Sequence, residues 1–442
     1  KKVDENIIVV YGGVYVTMNP HVAIEDRNVD YFFLGEGEYT FPELIKYIKG
    51  DGPFPKKGLM YRDKKTDKVI NLGKADFIKN LDDIPPPAYH LVDFKKYSNK
   101  ASRKYSVDAP RKFPYARLYT SRGCPFDCSF CQVGSISGRK FRFQSIEKVI
   151  SEMKILKNRY GVKSFIFSDD NFFLHGPRAK NIMNAMIDND LALPWLSEDT
   201  GVMHLNEEMI DLAAKSGCEY MGFAVETGND RIMTEIIKGK KFSKSHAIEM
   251  AKYAKKKGIF VAANFIIGFP TETWSEIRET LDFAEELNAD YTRVFNLIPL
   301  KNTPLWEICE KEDAFRDGYD HYNMTQSWNG GMVKSTLYGP NDLLALRTFE
   351  WDRINFSNKE KRMKIVKRLE LSEKEVDAMR QKTIDDMFKR IVTPKNVEKD
   401  IYKLDELFSS NMNNHFQDNH KIQTDISTFN KTDSVLSIKK FS

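Results

Sequence analysis

Between residues 115 and 300 the sequence alternates short apolar segments with amphipathic ones, and this alternation restricts the fold more than any other feature. The apolar segments are rich in Ile, Val and Phe, as expected for buried strands. The segments between them repeat apolar residues at three-and-four spacing, which predicts helices with one buried side. Strands that alternate with helices predict parallel β/α units. The predicted strands are Ala116–Thr120, Lys163–Phe167, Pro194–Glu198, Glu219–Val225, Phe260–Ile267 and Tyr291–Ile298.

The sequence on either side of this region predicts further parts of an α/β protein. The chain begins with Lys1 rather than Met, and we expect a fragment that lacks its front. The first fifty residues read as strand, Gly-Gly turn, helix, strand and helix, a pattern typical of the second half of a doubly wound domain. The predicted parts are the C-terminal remnant of that domain (1–50), a linker with a hairpin and a Pro-rich segment (51–112), a partial (β/α)6 barrel (113–320), a helical cap (321–395) and a disordered tail (396–442).

Composition excludes several classes of protein. The chain has 442 residues but no apolar run of about 18, so no transmembrane helix is predicted. A net charge of only +5 gives no indication of a nucleic-acid partner. Five cysteines without a recognisable signal peptide predict a cytoplasmic protein whose thiols stay reduced and are free to bind metal.

Three of these cysteines lie on one short loop directly after the first predicted barrel strand. Cys124, Cys128 and Cys131 are separated by three and two residues. Three thiolates at this spacing can hold three corners of a cubane iron–sulfur cluster and leave the fourth iron open. The alternative is a structural zinc site, which requires a fourth Cys or His, and none lies within thirty residues on either side.

The loop resembles the signature of the radical S-adenosylmethionine (SAM) superfamily, in which Cys-x3-Cys-x-aromatic-Cys binds a [4Fe–4S] cluster. Phe130 stands at the aromatic position. The resemblance implies a radical SAM barrel over residues 115–305, with SAM chelating the open iron. It also implies that an electron from the cluster cleaves SAM to a 5′-deoxyadenosyl radical, chemistry that belongs to the cofactor while the protein orients it and excludes water.

The same resemblance implies cofactor contacts at the carboxyl ends of other strands. Asp169 and Asp170 resemble the segment near the methionine part of SAM, although helix capping explains them equally well. Glu226 matches a position that binds the ribose hydroxyls or the amino group, and a carboxylate that closes an apolar strand needs a partner. Gly268 resembles the turn that contacts adenine, although a plain strand-to-helix turn also explains it.

The amino-terminal region is similar to the last third of a cobalamin-binding domain. The order of features carries this similarity: Gly12-Gly13, then Gly35-Glu36-Gly37-Glu38, a proline-rich segment and the cysteine loop. Gly12 and Gly13 are expected to approach the nucleotide tail of cobalamin, because no Cβ atom blocks a large cofactor there. The Asp-x-His-x-x-Gly motif that supplies a lower cobalt ligand is absent from residues 1–12, so the cobalt ligand stays open.

Together, the resemblances predict a cobalamin-dependent radical SAM enzyme of the hopanoid-methylase type. The expected reaction is methylation of an unactivated carbon or a phosphinate phosphorus through the adenosyl radical and methylcobalamin. The alternatives are a cyclase or rearrangement enzyme of the anaerobic Mg-protoporphyrin cyclase type, and a non-catalytic iron–sulfur or cobalamin sensor. Expected partners are a small-molecule, lipid or natural-product substrate and a reductase, flavodoxin or ferredoxin that supplies electrons.

Overall fold

The computed structural model describes residues 1–97, 104–317 and 331–391, so the predicted tail lies outside the described residues. These residues form two units. The N-terminal unit comprises residues 1–87, 121–126 and 131–148, and the barrel unit comprises the described residues of 88–120, 127–130 and 149–391. No described helix combines the length and apolarity needed to span a lipid bilayer.

Strands and helices alternate along most of the described chain. The strands are β1 (Val10–Tyr11), β2 (Tyr31–Phe33), β3 (Leu59–Arg62), β4 (Val69–Asn71), β5 (Tyr115–Leu118), β6 (Ser121–Arg122), β7 (Arg142–Phe143), β8 (Ser164–Phe167), β9 (Trp195–Thr200), β10 (Cys218–Glu226), β11 (Phe260–Ile267) and β12 (Tyr291–Asn296). The helices are α1 (Val14–Met18), α2 (Pro20–Ala23), α3 (Thr40–Ile48), α4 (Phe94–Tyr97), α5 (Val133–Ile136), α6 (Ile146–Tyr160), α7 (Gly176–Asp188), α8 (Glu207–Lys215), α9 (Lys244–Lys256), α10 (Trp274–Glu286), α11 (Pro304–Lys311), α12 (Pro340–Phe356), α13 (Lys359–Leu369) and α14 (Glu373–Ile391).

The N-terminal unit is built on a mixed sheet with the strand order β1-β2-β3-β4. β1 and β2 are parallel, whereas the β3–β4 hairpin pairs antiparallel with β2. This hairpin lies in the stretch predicted as a linker, and it extends the sheet of the N-terminal unit. One side of the sheet buries a small apolar cluster that includes Val16, Phe32 and Met60.

The barrel unit contains a six-stranded sheet with the order β12-β11-β10-β9-β8-β5, and every neighbouring pair is parallel. All six predicted barrel strands are confirmed. β5 and β12 form the two edges, so the described residues make a partial rather than a closed barrel. Because parallel strands point the same way, their six carboxyl ends share one edge of the sheet, which we call the carboxyl edge.

Helix α12 covers the free edge of β12 with hydrogen bonds from side chains. The Asn355 amide accepts a hydrogen bond from Thr292 N and donates one to Thr292 O, both at 2.8 Å. The Arg347 guanidinium donates to Val294 O, also at 2.8 Å. An exposed edge strand invites pairing with another chain, and these side chains take the place of that missing strand.

We expect Asn355→Leu to destabilise the protein because the substitution leaves the buried N–H and C=O groups of Thr292 without their side-chain partner. The expected loss is roughly 2–4 kcal/mol of unfolding free energy, since each unsatisfied group costs about 1–3 kcal/mol. Urea denaturation followed by circular dichroism measures the change. The matched control is Asn184→Leu on the exposed side of α7, and equal denaturation midpoints for the two variants would contradict the role assigned to Asn355.

Candidate active site

Glu226 closes β10 at the carboxyl edge and is held by a lysine. Its side chain is buried, its backbone adopts a left-handed conformation with φ of 72°, and its Oε1 atom lies 2.8 Å from Lys240 Nζ. Burial alone lowers the pKa of Lys240, but the negative charges of Glu226 and of the Cys128 thiolate outweigh it and hold that pKa above its ordinary value. The carboxylate therefore keeps a charged partner, as the sequence predicted it must.

The middle of the cysteine loop packs against the segment that leads to Lys240. A π-helical turn, Ile232–Ile237, ends just before Gly239, and Ser129 N donates a hydrogen bond to Ile237 O at 2.9 Å. A Cβ atom on Gly239 would overlap the backbone N and the Sγ atom of Cys128. Only glycine allows this approach, so the sequence Lys238-Gly239-Lys240 is shaped around Cys128.

The two outer cysteines belong to the N-terminal unit. Cys124 N donates a hydrogen bond to Gly138 O at 3.2 Å, and Val133 N approaches Cys131 Sγ at 3.5 Å. None of the five cysteines takes part in a disulfide bond. Within the described residues, no group of three or more His, Cys, Asp or Glu side chains is already arranged as a metal cage.

Glu36 binds both arginines that flank the cysteine loop within the N-terminal unit. Its carboxylate receives two hydrogen bonds of 2.8 Å from Arg142 and lies 3.1 Å from Arg122. Burial alone raises the pKa of Glu36, but hydrogen bonds from Arg142, from the Ile78 N–H group and from Arg122 hold it below its ordinary value. The Gly35-Glu36-Gly37-Glu38 turn thus anchors β6 and β7, the strands that precede and follow the loop.

Asp169 and Asp170 follow β8 but differ in their surroundings. Asp169 is buried and accepts hydrogen bonds of 2.9 and 3.1 Å from Thr120 Oγ1. Arg178 in turn donates to the backbone and hydroxyl oxygens of Thr120 at 2.8 and 2.7 Å. Asp170 is only partly buried. The Asp169 contacts tie the ends of β5 and β8 together, and the cofactor roles of both residues stay predictions.

The turn after β11 contains a second buried carboxyl group, Glu272. Its Oε2 atom accepts hydrogen bonds from Gly268 N (2.6 Å) and Phe269 N (2.9 Å), whereas Oε1 has no partner among the described residues. Burial raises the pKa of Glu272 to about 8. Gly268 has φ of 86°, and the Phe269 ring packs edge-on against Phe130 with ring centres 6.4 Å apart. The aromatic position of the cysteine loop therefore meets the predicted adenine turn.

Charged side chains on the strands of the barrel sheet are paired. Arg117 on β5 binds Glu198 on β9 with two hydrogen bonds, of 2.6 and 2.8 Å, and also Ser168 Oγ at 2.8 Å. Arg293 on β12 donates to the Tyr220 hydroxyl at 2.9 Å. Arg117 and Arg293 both remain partly exposed to solvent. The barrel sheet therefore carries charged and hydrogen-bonding groups next to the apolar cluster that includes Tyr220.

Gly12 and Gly13 lie on the surface of the N-terminal unit after β1. Gly13 has φ of 96°, and a Cβ atom there would meet no other atom within 4 Å. A Cβ atom on Gly12 would lie 3.1 Å from Phe33 Cβ. The space beside Gly13 is therefore open, as cobalamin binding requires, and the role of both glycines stays a prediction.

Sequence reasoning missed Lys240, Glu272 and the Arg117–Glu198 pair. Glu272 carried a usable signal, because it follows a strand end and a Gly-Phe-Pro turn at the carboxyl edge. Lys240 lies fourteen residues beyond Glu226 in a lysine-rich segment that reads as an exposed loop. Only the fold brings it back to the end of β10.

Comparison with known proteins finds a family match for the central region of the chain and confirms the expected fold class. Residues 118–284 match the Radical SAM superfamily model. An uncharacterised methyltransferase of Pyrococcus horikoshii is 35% identical over 311 residues, which cover 70% of this chain and 64% of the relative. The cytidylyl-2-hydroxyethylphosphonate methyltransferase of Streptomyces wedmorensis is 29% identical over 347 residues, which cover 72% of this chain and 64% of the relative.

Among solved structures, OxsB, a cobalamin-dependent S-adenosylmethionine radical enzyme with aqua-cobalamin bound, has a similar fold. The TM-score is 0.63 at 17% sequence identity, over 94% of this chain and 63% of OxsB. The chain thus spans somewhat less than two thirds of the length of each of these proteins. The predicted resemblance to radical SAM enzymes is confirmed.

We expect the buried Glu272 carboxyl to make stability depend on pH. A carboxyl group with a raised pKa is protonated in the folded protein while it is already ionised in the unfolded chain. The unfolding free energy of the wild type should therefore fall, relative to Glu272→Gln, as the pH rises from 4.5 to about 8, and then stay level. Denaturant titrations across this range measure the difference, with the exposed Glu249→Gln as control. A constant difference between wild type and Glu272→Gln would refute this assignment.

Proposed function

We propose that this protein is a cobalamin-dependent radical SAM methyltransferase, because residues 118–284 match the Radical SAM superfamily model. Its acceptor is an unactivated carbon or a phosphinate phosphorus of a small molecule. The observation that carries the proposal is the packing of Cys128 against Gly239, with the Glu226–Lys240 pair beside it at the carboxyl edge. The similarity to two methyltransferases and to the fold of OxsB supports the choice of methyl transfer and of cobalamin.

The residues of the site fit a [4Fe–4S] cluster and SAM. The donor set is three cysteine thiols on one loop, none of which is in a disulfide bond. Next to Cys128, the buried Ser129 hydroxyl has no hydrogen-bond partner among the described residues. Three more atoms near the carboxyl edge also lack partners in the described part of the chain, namely Asn171 Oδ1, Glu272 Oε1 and Asn296 Oδ1. A buried polar atom without a hydrogen-bond partner destabilises the fold, and a polar cofactor would supply the missing partners.

Each element of the site has a defined task in this reaction. When bound, the cluster supplies the electron that cleaves SAM, and cobalamin carries the methyl group. Cys124, Cys128 and Cys131 would hold the cluster, and Glu226 would accept hydrogen bonds from the hydroxyl or amino groups of SAM. Phe130 and the turn at Gly268 would contact adenine, and Asp169 and Asp170 would border the methionine part. Gly12 and Gly13 would leave room for cobalamin.

The charged pairs of the barrel sheet favour a polar substrate. Arg117 and Arg293 are partly exposed, and each has a carboxylate within reach. Such pairs bind charged or hydrogen-bonding groups of a substrate and disfavour a substrate that is purely hydrocarbon. Of the substrates considered from sequence, a polar small molecule is therefore preferred to a lipid. An electron donor of the flavodoxin or ferredoxin class completes the proposal.

We expect Cys128→Ala to abolish cluster binding and SAM cleavage because it removes one corner of the cluster. The measurements are iron and sulfide content, paramagnetic resonance after reduction with dithionite, and 5′-deoxyadenosine formed from SAM under anaerobic conditions. Cys309→Ala is the matched control, since Cys309 is equally buried in α11. A Cys128→Ala protein that still carries the cluster and releases 5′-deoxyadenosine would exclude the proposed site.

We expect S-adenosylhomocysteine to form in addition to 5′-deoxyadenosine, and only when cobalamin is present, because methyl transfer consumes a second SAM.

Gly13→Ala should weaken cobalamin binding, since its methyl group enters the open space of the N-terminal unit. Gly50→Ala is the control, as Gly50 also has a positive φ and an open Cβ position. Visible absorbance measures cobalamin binding, and chromatography measures both nucleosides.

The outcomes separate the alternatives. Release of 5′-deoxyadenosine without S-adenosylhomocysteine would favour a cyclase or rearrangement enzyme over methyl transfer. A fully loaded protein that forms neither product would favour the sensor. Equal cobalamin affinity of Gly13→Ala and Gly50→Ala would remove Gly13 from the proposed site.

A further inference from the structure

We infer that Lys240 is a positioning residue that serves two parts of the site at once. It fixes the Glu226 carboxylate at the end of β10, and it keeps a positive charge beside the Cys128 thiolate. The inference rests on the proposed function, because it assigns the lysine a role toward the cluster and toward SAM. It adds a charged group that lies outside the cysteine loop and outside the ends of the strands.

The contact with Glu226 is direct and largely shielded from water. Lys240 Nζ donates to Glu226 Oε1 at 2.8 Å, and the exposed fractions of the two side chains are 16% and 8%. Glu226 also has the left-handed backbone conformation, which is unfavourable for a residue with a Cβ atom. A single charged hydrogen bond at low exposure therefore helps to determine where this carboxylate points.

The approach to Cys128 is imposed by the backbone. Gly239 lies against the backbone N and the Sγ atom of Cys128, and Lys240 is the next residue. The hydrogen bonds from Ser129 N to Ile237 O (2.9 Å) and from Leu305 N to Ser129 O (3.0 Å) fix this part of the loop on both sides. The ammonium group is thus carried by a segment that cannot move away from Cys128 without breaking these contacts.

This placement has a redox consequence. A cluster held by three thiolates gains one negative charge on reduction, and a fixed positive charge nearby stabilises the reduced form. Lys240 should therefore make the cluster easier to reduce. The same lysine should tighten SAM binding. It fixes the Glu226 side chain before SAM arrives, so less conformational entropy of that side chain is lost on binding.

The test uses the full chain with a reconstituted cluster and measures two quantities that do not depend on turnover. One is the midpoint potential of the cluster from a redox titration followed by paramagnetic resonance, and the other is the dissociation constant of SAM. The variants are Lys240→Met, which removes the charge but keeps the length, and Lys240→Arg, which keeps the charge. Lys241→Met is the matched control, since the neighbouring lysine is exposed.

We expect Lys240→Met to shift the midpoint to a more negative potential and to weaken SAM binding by about tenfold or more, the usual effect of losing a charged hydrogen bond. Lys240→Arg should restore both quantities, and Lys241→Met should change neither. Glu226→Gln separates the two roles. It should weaken SAM binding without making the cluster harder to reduce, because it removes a negative charge and keeps the lysine.

Lys240→Met leaves Glu226 buried without its counter-charge and can fail to fold for that reason alone. The double variant Lys240→Met/Glu226→Gln removes both charges, and its midpoint should lie below that of Glu226→Gln. Equal midpoints and equal SAM affinities of Lys240→Met and wild type would overturn the inference while leaving the proposed function intact. Equal midpoints of the double variant and Glu226→Gln would do the same. A wild type that takes up no cluster would instead overturn the proposed function, and this inference with it.

Discussion

The parallel arrangement of the barrel strands is the constraint on which the site depends. Six strands that run in one direction bring their carboxyl ends to one edge, and the chain must leave that edge in sharp turns. Glu226 and Gly268, at the ends of β10 and β11, adopt left-handed backbone conformations. The turns direct polar groups from distant parts of the sequence toward the same edge, where buried carboxyl groups need partners.

The same sheet leaves an unpaired edge at β12, and helix α12 covers this edge. α12 buries both apolar and charged residues, so it shows no single apolar stripe. Its charged residues are paired: Glu350 Oε2 lies 2.9 Å from Arg353 Nε, and Asp352 Oδ1 lies 2.6 Å from Arg380 Nε. A buried charge is tolerated when a partner and further hydrogen bonds satisfy it. The helix thereby completes the hydrogen bonding of β12 without adding a seventh strand.

Within the N-terminal unit, ion pairs hold the two strands that flank the cysteine loop. Glu36 binds Arg122 and Arg142, which lie in β6 and β7 on either side of the loop. In the sequence, the Gly-Glu-Gly-Glu turn is distinguished only by its position in the order of motifs. Its contacts also give the turn a structural role, since one buried carboxylate binds both β6 and β7.

The sequence by itself determined the six barrel strands, the helical C-terminal region and the radical SAM resemblance, because strand burial, helical periodicity and cysteine spacing are local patterns. It also indicated Glu226, since a carboxylate that closes an apolar strand must have a partner. It could not supply that partner. Lys240 lies in a segment without periodicity, and only the return of the chain past Cys128 brings its ammonium group to Glu226. The pairing of Asn355 with the edge of β12 was likewise decided by tertiary structure, because a polar residue within a helix carries no local sign of the strand it will meet.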